Sequence, residues 1–281
     1  MESGDPLVTA EWLKEHISAP DVRVVDATWF PPFLNPEKTG RQAWAEGHIP
    51  GAVYFDIDAI KAGGTDLPHM LPDPVMFSSR ARKLGLGDGN RIIVYDQFNF
   101  FASARVWWML RVMGQRDVKV LDGGLKAWTD AGGETEDLPP VAVERHFTAR
   151  VRSDLLKDSD QMLAASANSS HNIIDSRSAE RFSGEAPEPR EGLPSGHIPG
   201  SICLPSGELR TEDGRMKSAD ELGKLFPNPL APTIATCGSG VSAAVTALAL
   251  ARLGNWDVAV YDGSWAEWAS DASRPVATGT A

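Results

Sequence analysis

The sequence predicts an α/β protein made of two copies of one domain, each a parallel β-sheet flanked by helices. Three observations predict this fold class. The pentapeptide Gly-His-Ile-Pro-Gly occurs at residues 47–51 and again at 196–200. Short β-branched runs alternate with amphipathic segments, which is typical of a parallel sheet covered on both faces. The 281-residue chain is long for one domain and long enough for two, each with its own core.

Other short motifs repeat in the same order as the pentapeptide. Asp26 and Asp175 each end a strand-like run, and they are separated by the same 149 residues as the two pentapeptides. Val-Leu-Asp-Gly at 120–123 corresponds to Val-Tyr-Asp-Gly at 260–263, and a tryptophan follows each of them. Unrelated loops would not share these motifs in one order, so we interpret the chain as an internal repeat.

The predicted domain boundaries follow from where periodic patterning stops. Residues 138–157 begin with two prolines and carry no sustained periodicity, so we interpret them as a linker. The first domain is then 1–137 and the second is 158–281.

Strand and helix alternation is clearest around the middle of each copy. Residues 92–95 and 233–236 are predicted strands, and 103–113 and 241–253 are predicted helices. Capping and stop signals agree with further helices, and these signals are Asp73 before Pro74, Ser218 with Glu221, Gly114 and Gly254.

Composition excludes several classes of function. The net charge of −11 argues against a nucleic-acid or anionic-membrane surface, because such a field repels phosphate. No apolar run approaches the roughly 20 residues that a membrane span needs. Acidic residues near the N-terminus argue against an export signal. With only Cys203 and Cys237, neither a disulfide framework nor a structural zinc site is expected, and a reducing cytoplasm fits best.

Cys237 is the candidate nucleophile. It lies where a predicted strand meets the run Gly-Ser-Gly-Val-Ser at 238–242, ahead of a predicted helix. Two glycines allow a tight curl that can direct amide N–H groups and a helix N-terminus at one sulfur. Such a cradle favours a thiolate. The alternative is an inert, buried cysteine, since free cysteines are often buried.

The two copies differ at this position. The strand that ends at Cys237 aligns with the strand that precedes Asp96, so the first copy has an aspartate in place of the nucleophile. We therefore expect a non-catalytic first domain and a catalytic second domain. His48 and His197 occur in both copies, and we interpret them as structural parts of the repeated turn.

The paired turns, with a cysteine loop only in the second copy, resemble the tandem-domain rhodanese family over essentially the whole chain. The loop Cys-Gly-Ser-Gly-Val-Ser at 237–242 is similar to that of the 3-mercaptopyruvate sulfurtransferases, which usually end in threonine where this chain has Ser242. The resemblance implies two rhodanese-like domains, no cofactor, and a substrate-binding loop made of Gly238, Gly240, Val241 and Ser242.

Further site residues are implied by the same resemblance. Arg181 and Arg190 match the arginines that bind the donor's carboxylate, and planar guanidinium groups suit an α-keto acid head. Ser239, His69 and Asp58 match a proposed proton-handling set, which requires the two domains to close on one another. A histidine in a proline-flanked loop is at least as often a structural residue. The match of Ser239, His69 and Asp58 to the family is therefore weaker than the match of the two arginines.

The resemblance implies transfer of sulfur from 3-mercaptopyruvate through a persulfide on Cys237 to a thiol, to cyanide or to a thioredoxin-like protein. Three alternatives stay open: a thiosulfate:cyanide sulfurtransferase, a cysteine-dependent phosphatase, and a non-catalytic sulfur carrier or regulatory module. Thiosulfate-preferring relatives carry basic residues inside the loop, and this loop has none. A phosphatase loop closes on an arginine, where this chain has Ser242 followed by alanines. Cys203 is either a strand-end side chain or a redox partner of Cys237.

Overall fold

Two five-stranded parallel sheets form the framework of the chain. The computed structural model describes residues 4–34, 36–98 and 100–280. The first sheet has the order β1-β5-β4-β2-β3, and its strands are β1 (Leu7–Val8), β2 (Val22–Asp26), β3 (Val53–Tyr54), β4 (Arg91–Tyr95) and β5 (Val118–Leu121). The second has the order β6-β10-β9-β7-β8, and its strands are β6 (Leu156–Lys157), β7 (Asn172–Asp175), β8 (Ser201–Cys203), β9 (Thr233–Thr236) and β10 (Ala259–Tyr261).

Helices lie on both faces of each sheet. Those of the first copy are α1 (Ala10–His16), α2 (Gly40–Glu46), α3 (Pro74–Lys83), α4 (Phe101–Val112) and α5 (Gly124–Asp130). Those of the second are α6 (Ser159–Asn168), α7 (Ala179–Ser183), α8 (Ala219–Leu225), α9 (Ala243–Arg252) and α10 (Ser264–Trp268). Within the described residues, every helix is too short or too polar to traverse a lipid bilayer.

The two sheets have the same topology, as an internal repeat predicts. The second sheet has the strand order of the first with every strand number raised by five. The repeated turns also pair alike, since His48 forms an antiparallel bridge with Glu136 and His197 forms one with Ala277. The predicted fold class, two α/β domains with parallel sheets, is therefore confirmed.

The two copies share one core. A single cluster of buried apolar side chains joins the facing sides of both sheets, with α4 and α9 packed against each other at its centre. The outer face of each sheet has a smaller cluster of its own, under α1 and α5 in the first copy and under α6 and α10 in the second. Apolar burial thus stabilises both the contact between the domains and the packing of each sheet on its helices.

Local sequence signals set most element ends. Asp73 caps α3 with Pro74 in its first turn, and Ser218 forms a capping box with Glu221 at α8, as predicted. Strand β9 has the predicted bounds. Helix α4 begins two residues earlier than predicted, and α9 begins two residues later, because 241 and 242 belong to the loop after β9.

The predicted linker lies against the first domain. Residues 143–152 run along the start of β4 and the end of α4, with Phe147 buried at 4% exposure and with backbone bonds from Arg150 and Arg152 to the end of α4. The last two residues of the predicted linker form β6, an edge strand of the second sheet. The domain boundaries themselves stay a prediction.

Candidate active site

Cys237 lies at the carboxyl end of β9, the central strand of the second sheet, where ligands collect in open α/β sheets. Cys237 is 2% exposed. The loop that follows turns at Gly240, which has a φ of +74°. A Cβ there would lie 2.7 Å from the carbonyl oxygen of Asp262, so only glycine lets the loop pack against that segment.

The amide groups of the cysteine loop are free of protein partners. In the described part of the chain, the backbone N–H groups of residues 238–242 donate no hydrogen bond to another protein group. The N–H of Cys237 itself donates to Ser264 Oγ at 3.2 Å. Unpaired amides on a tight loop at a helix N-terminus form a binding place for an anion.

The equivalent loop of the first copy is occupied by its own side chain. The carboxyl oxygens of Asp96 accept hydrogen bonds from the backbone N–H groups of Phe98 at 3.1 Å, Phe100 at 3.2 Å and Ser103 at 2.8 Å. Asp96 thus fills the position that is left open beside Cys237. This contrast agrees with the expectation that only the second copy is built for chemistry.

Ser264 is a strained residue that holds the cysteine. Its φ is +50°, where the corresponding position of the first copy is Gly124 with a φ of +59°. A non-glycine residue in this region costs about 1–2 kcal/mol. The Ser264 hydroxyl accepts from the Cys237 N–H and donates to the carbonyl oxygen of Tyr261 at 2.8 Å, so the strain is coupled to a contact with the candidate nucleophile.

The predicted serine, histidine and aspartate meet across the domain interface. His69 Nδ1 lies 3.1 Å from Ser239 Oγ, and His69 Nε2 lies 3.1 Å from Asp58 Oδ1. The other carboxylate oxygen of Asp58 accepts from Trp29 Nε1 at 2.8 Å. With a proton on Nε2 donated to Asp58, the neutral imidazole accepts the Ser239 O–H at Nδ1. The domain closure that this set requires is present.

Burial and hydrogen bonding act on the two titrating members. His69 is 6% exposed, and burial lowers its pKa below the ordinary 6.5 despite the opposing hydrogen bond to Asp58. The same hydrogen bond is the main cause that lowers the pKa of Asp58 below 3.8. At neutral pH the pair is therefore a neutral imidazole oriented by an aspartate anion.

Both predicted arginines lie over the cysteine loop. A Cβ on Gly238 would lie 3.1 Å from Arg181 Nη2 and 3.7 Å from Arg190 Nη1, so the absent side chain leaves the guanidinium groups room beside the loop. Burial lowers the pKa of Arg190 below 12.5, and the nearby Cys237 opposes that shift. Arg190 remains a cation, and in the described residues its side chain makes no hydrogen bond or ion pair.

The two copies differ in the length of chain between the short helix and the repeated turn. Trp44 stacks on His48, and Phe182 stacks on His197, with ring centroids 4.6 Å and 3.7 Å apart. In each copy the histidine Nδ1 contacts the carbonyl oxygen of that aromatic residue, at 2.8 Å and 2.9 Å. These contacts support a structural role for both histidines. The sequence separation is 4 residues in the first copy and 15 in the second.

Asp26 and Asp175 each lie 21 residues before the first glycine of the repeated turn, so the two copies have equal length here. Residues 185–195, which lie between α7 and the turn, are called the α7 loop below. The α7 loop carries Arg190 and also Glu188, whose side chain is only 1% exposed. Glu188 accepts from Arg181 Nε at 3.1 Å and Nη2 at 2.5 Å, and from Arg177 Nη1 at 2.8 Å. Arg177 is in turn paired with Asp175 at the end of β7, at 2.7 Å. The α7 loop thus supplies one arginine to the site and anchors the other.

These groups enclose a cleft of about 250 Å³ between the two domains. One wall is apolar and comes from the first domain, while the floor is the cysteine loop and the opposite wall holds the arginines. The lining residues are Trp29, Pro31, Pro32, Phe33, Asp58, Pro68, His69, Phe101, Arg181, Pro189, Arg190, Cys237, Gly238, Ser239, Val241 and Ser242. A space of this size suits a small organic anion.

A buried ion pair connects the parts of the site that come from different domains. Arg105, on α4, is fully buried and lies 2.6 Å from Asp262 Oδ1. Its guanidinium also donates to the carbonyl oxygens of His69 at 2.5 Å and Gly240 at 3.3 Å. The second oxygen of Asp262 accepts from the Leu71 N–H at 2.6 Å. One cation therefore fixes the histidine loop against the cysteine loop.

All ten predicted site residues lie in or beside this cleft, and Gly240 shapes it from behind. Sequence reasoning missed Trp29, Glu188, Arg105, Asp262 and Ser264. Of these, Ser264 carried a signal, because it replaces a glycine of the first copy. In the described chain, no group of three or more His, Cys, Asp or Glu side chains is arranged to hold a metal.

Cys203 lies apart from Cys237 in the sheet. Cys203 is on β8 and pairs with Asp175 of β7. Cys237 follows β9, which lies on the other side of β7. Both cysteines are free. Burial raises the pKa of Cys203 to about 11, so it is a thiol at neutral pH. We assign it no role in the chemistry.

Comparison with known proteins gives one consistent result. The family described as Rhodanese-like domain matches residues 9–131 and 158–271. The chain is 41% identical over 273 residues to the 3-mercaptopyruvate sulfurtransferase of Escherichia coli (strain K12), covering 96% of each chain. It is 38% identical over 275 residues to the thiosulfate sulfurtransferase of Gallus gallus, covering 94% of this chain and 93% of the relative.

A solved structure agrees with these sequences. The crystal structure of SseA from Escherichia coli, described in terms of the rhodanese fold and catalytic mechanism of 3-mercaptopyruvate sulfotransferases, superimposes with a TM-score of 0.85 at 39% identity. The match covers 93% of this chain and 99% of that one. With two matched domains, a shared topology and a cysteine loop in the second copy, the chain belongs to the rhodanese-like family.

Proposed function

We propose that this protein is a 3-mercaptopyruvate sulfurtransferase that carries sulfur as a persulfide on Cys237. The observation that supports this most directly is the placement of two guanidinium groups over a cysteine loop whose amides have no protein partner. The arginines suit the carboxylate of a small keto acid, and the amides suit a sulfur anion. The relatives named for this activity support the same donor.

Donor binding places the reacting sulfur beside the nucleophile. Arg190 and the free edge of Arg181 bind the carboxylate and keto oxygen of 3-mercaptopyruvate, while the apolar wall excludes water. The donor's thiol then faces Cys237 at the bottom of the cleft. Holding both reactants in one orientation supplies much of the rate enhancement of such a step.

The first half-reaction balances without an external oxidant. The Cys237 thiolate attacks the donor sulfur, so an S–S bond forms while the donor's C–S bond breaks and leaves its electron pair on carbon. That carbon takes up the proton that the donor thiol gives up, which yields the methyl group of pyruvate. Cys237 is left as a persulfide anion, and the free amides of residues 238–242 stabilise it.

Ser239 and His69 provide the path for that proton. The imidazole is neutral because burial lowers its pKa, and Asp58 fixes the tautomer that leaves Nδ1 facing Ser239. A neutral base next to a hydroxyl can accept a proton and return it within one turnover. Asp58 orients the imidazole and stabilises it when it is charged.

The second half-reaction returns the enzyme to its resting state. The thiolate of a small thiol or a thioredoxin-like protein, or cyanide, attacks the outer sulfur, and the S–S bond breaks to regenerate the Cys237 thiolate. The scheme uses no metal or organic cofactor. A thiolate nucleophile needs a reducing environment, for which we propose the cytoplasm.

Mass spectrometry tests the covalent step. The wild type, incubated with 3-mercaptopyruvate and freed of small molecules, should gain one sulfur on the Cys237 peptide and release one pyruvate per site. Cys237→Ser should do neither, while Cys203→Ser should behave as the wild type. An active Cys237→Ser variant, or sulfur on Cys203 alone, contradicts the proposal.

Thiosulfate is the second candidate donor. The relative from Gallus gallus is named for thiosulfate and is nearly as similar as the bacterial one, which supports testing both donors. Parallel assays of pyruvate release and of thiocyanate formed from thiosulfate separate the two activities. Steady-state turnover with either donor separates an enzyme from a sulfur carrier that reacts once.

A further inference from the structure

We propose that Glu188 sets the donor preference of the cleft by cancelling the charge of Arg181. This inference rests on the proposed function and extends it to a residue of the α7 loop. Glu188 touches no reacting atom in the proposed scheme, so it is a specificity-determining residue that acts through the arginine it binds.

The contacts of Glu188 are those of a buried, fully engaged carboxylate. Its side chain is 1% exposed and receives three hydrogen bonds, two from Arg181 and one from Arg177. Arg181 Nη2, which lies 2.5 Å from Glu188 Oε2, is the same atom that lies against Gly238 in the cysteine loop. The Glu188 carboxylate therefore binds the same guanidinium nitrogen that lies beside the cysteine loop.

Charge balance follows from these pairs. Asp175 and Glu188 are matched by Arg177 and Arg181 in one continuous network, so the network is neutral. Arg190 lies outside it and makes no ion pair in the described residues. Of the two arginines that line the cleft, only Arg190 therefore lacks a carboxylate partner, and Asp58 adds an anion to the lining.

A cleft with one unpaired arginine fits a donor with one negative charge better than a donor with two. The carboxylate of 3-mercaptopyruvate meets that condition, since its reacting sulfur is a thiol. Thiosulfate carries two charges, and its second charge meets Glu188 and the thiolate without a matching cation. A buried charge discriminates strongly between donors of different charge, because the surrounding dielectric constant is low.

Glu188→Gln tests the idea because it keeps the shape of the side chain and removes its charge. Arg177 stays paired with Asp175, so only Arg181, which faces the cleft, loses its carboxylate partner. For one extra unit charge at about 8 Å and an effective dielectric constant of about 20 to 40, kcat/KM for thiosulfate should rise about tenfold relative to 3-mercaptopyruvate. The readout is the ratio of the two kcat/KM values.

Two matched variants separate charge from packing. Glu188→Asp keeps the charge and shortens the reach, so it should lower both activities by a similar factor and keep the wild-type ratio. Glu185→Gln removes the same charge from an exposed site in the same α7 loop and should change neither activity. A ratio that stays at the wild-type value in folded Glu188→Gln, or that changes equally in Glu188→Asp, overturns the inference.

The wild type decides the question if Glu188→Gln fails to fold. Methanesulfonate and sulfate have similar tetrahedral heads and differ by one charge. As competitive inhibitors against 3-mercaptopyruvate, methanesulfonate should bind more tightly than sulfate. Tighter binding of sulfate would refute the assignment. A wild type that releases no pyruvate from 3-mercaptopyruvate refutes the proposed function instead, so the two failures are distinguishable.

Discussion

Replacing Arg105 by methionine should destabilise the protein by about 3–5 kcal/mol. The guanidinium is fully buried, pairs with Asp262, and donates to two carbonyl oxygens from different domains. Its planar group also stacks on Trp108, 4.5 Å from the ring centroid, and methionine preserves much of that packing. Removal of one partner from a buried ion pair leaves the other charge uncompensated, which accounts for the size of the effect.

The assay is thermal unfolding at neutral pH. At about 2.1 cal/mol/K of unfolding entropy per residue, a chain of 281 residues should melt about 5–8 °C lower in Arg105→Met. In the double variant Arg105→Met/Asp262→Leu no lone charge remains, so it should be more stable than the sum of the single changes predicts by at least about 2 kcal/mol. A single variant that melts within about 2 °C of the wild type, or strictly additive effects, would refute this reasoning.

Three further changes probe the site. Ser264→Gly relieves backbone strain and removes the acceptor for the Cys237 N–H. The melting temperature should therefore change little, while kcat should fall about three- to tenfold. Equal kcat values would show that this hydrogen bond does not contribute to turnover. Gly240→Ala places a Cβ against Asp262 at a φ of +74° and should cost more than about 2 kcal/mol and most of the turnover, checked by denaturation and pyruvate release. Because the pKa of His69 lies below 6.5, the unfolded chain takes up a proton first as pH falls, so the wild type loses stability from 6.5 through that lower pKa. His69→Asn should lack this loss in melting curves, and an identical pH dependence would contradict it.

Local patterns in the sequence predicted the framework of the fold well. Strand β9 and the caps of α3 and α8 are set by neighbouring residues, and such signals are legible in a linear sequence. The start of α9 was misplaced because Val241 and Ser242 have no property that separates a loop from a first helical turn. The repeat of the whole chain was visible because two copies of one sequence pattern need no knowledge of packing.

The sequence predicted the site residues that belong to a motif or match the family. It did not predict residues whose role depends on contacts that form only when the chain folds. Arg105 and Asp262 are 157 positions apart, and nothing in either neighbourhood shows that they meet. Glu188 looks like a surface carboxylate in a proline-rich loop, and only folding brings it against two guanidinium groups.

The shared core should hold the two halves of the protein together after the backbone between them is cleaved. Its two halves meet through α4 and α9, whose apolar faces would be open to water in either half alone. Val141 and Val143, in the stretch between the halves, are exposed and accessible to a protease. A polypeptide cut there should persist as a tight non-covalent pair of fragments, whereas either fragment expressed by itself should aggregate.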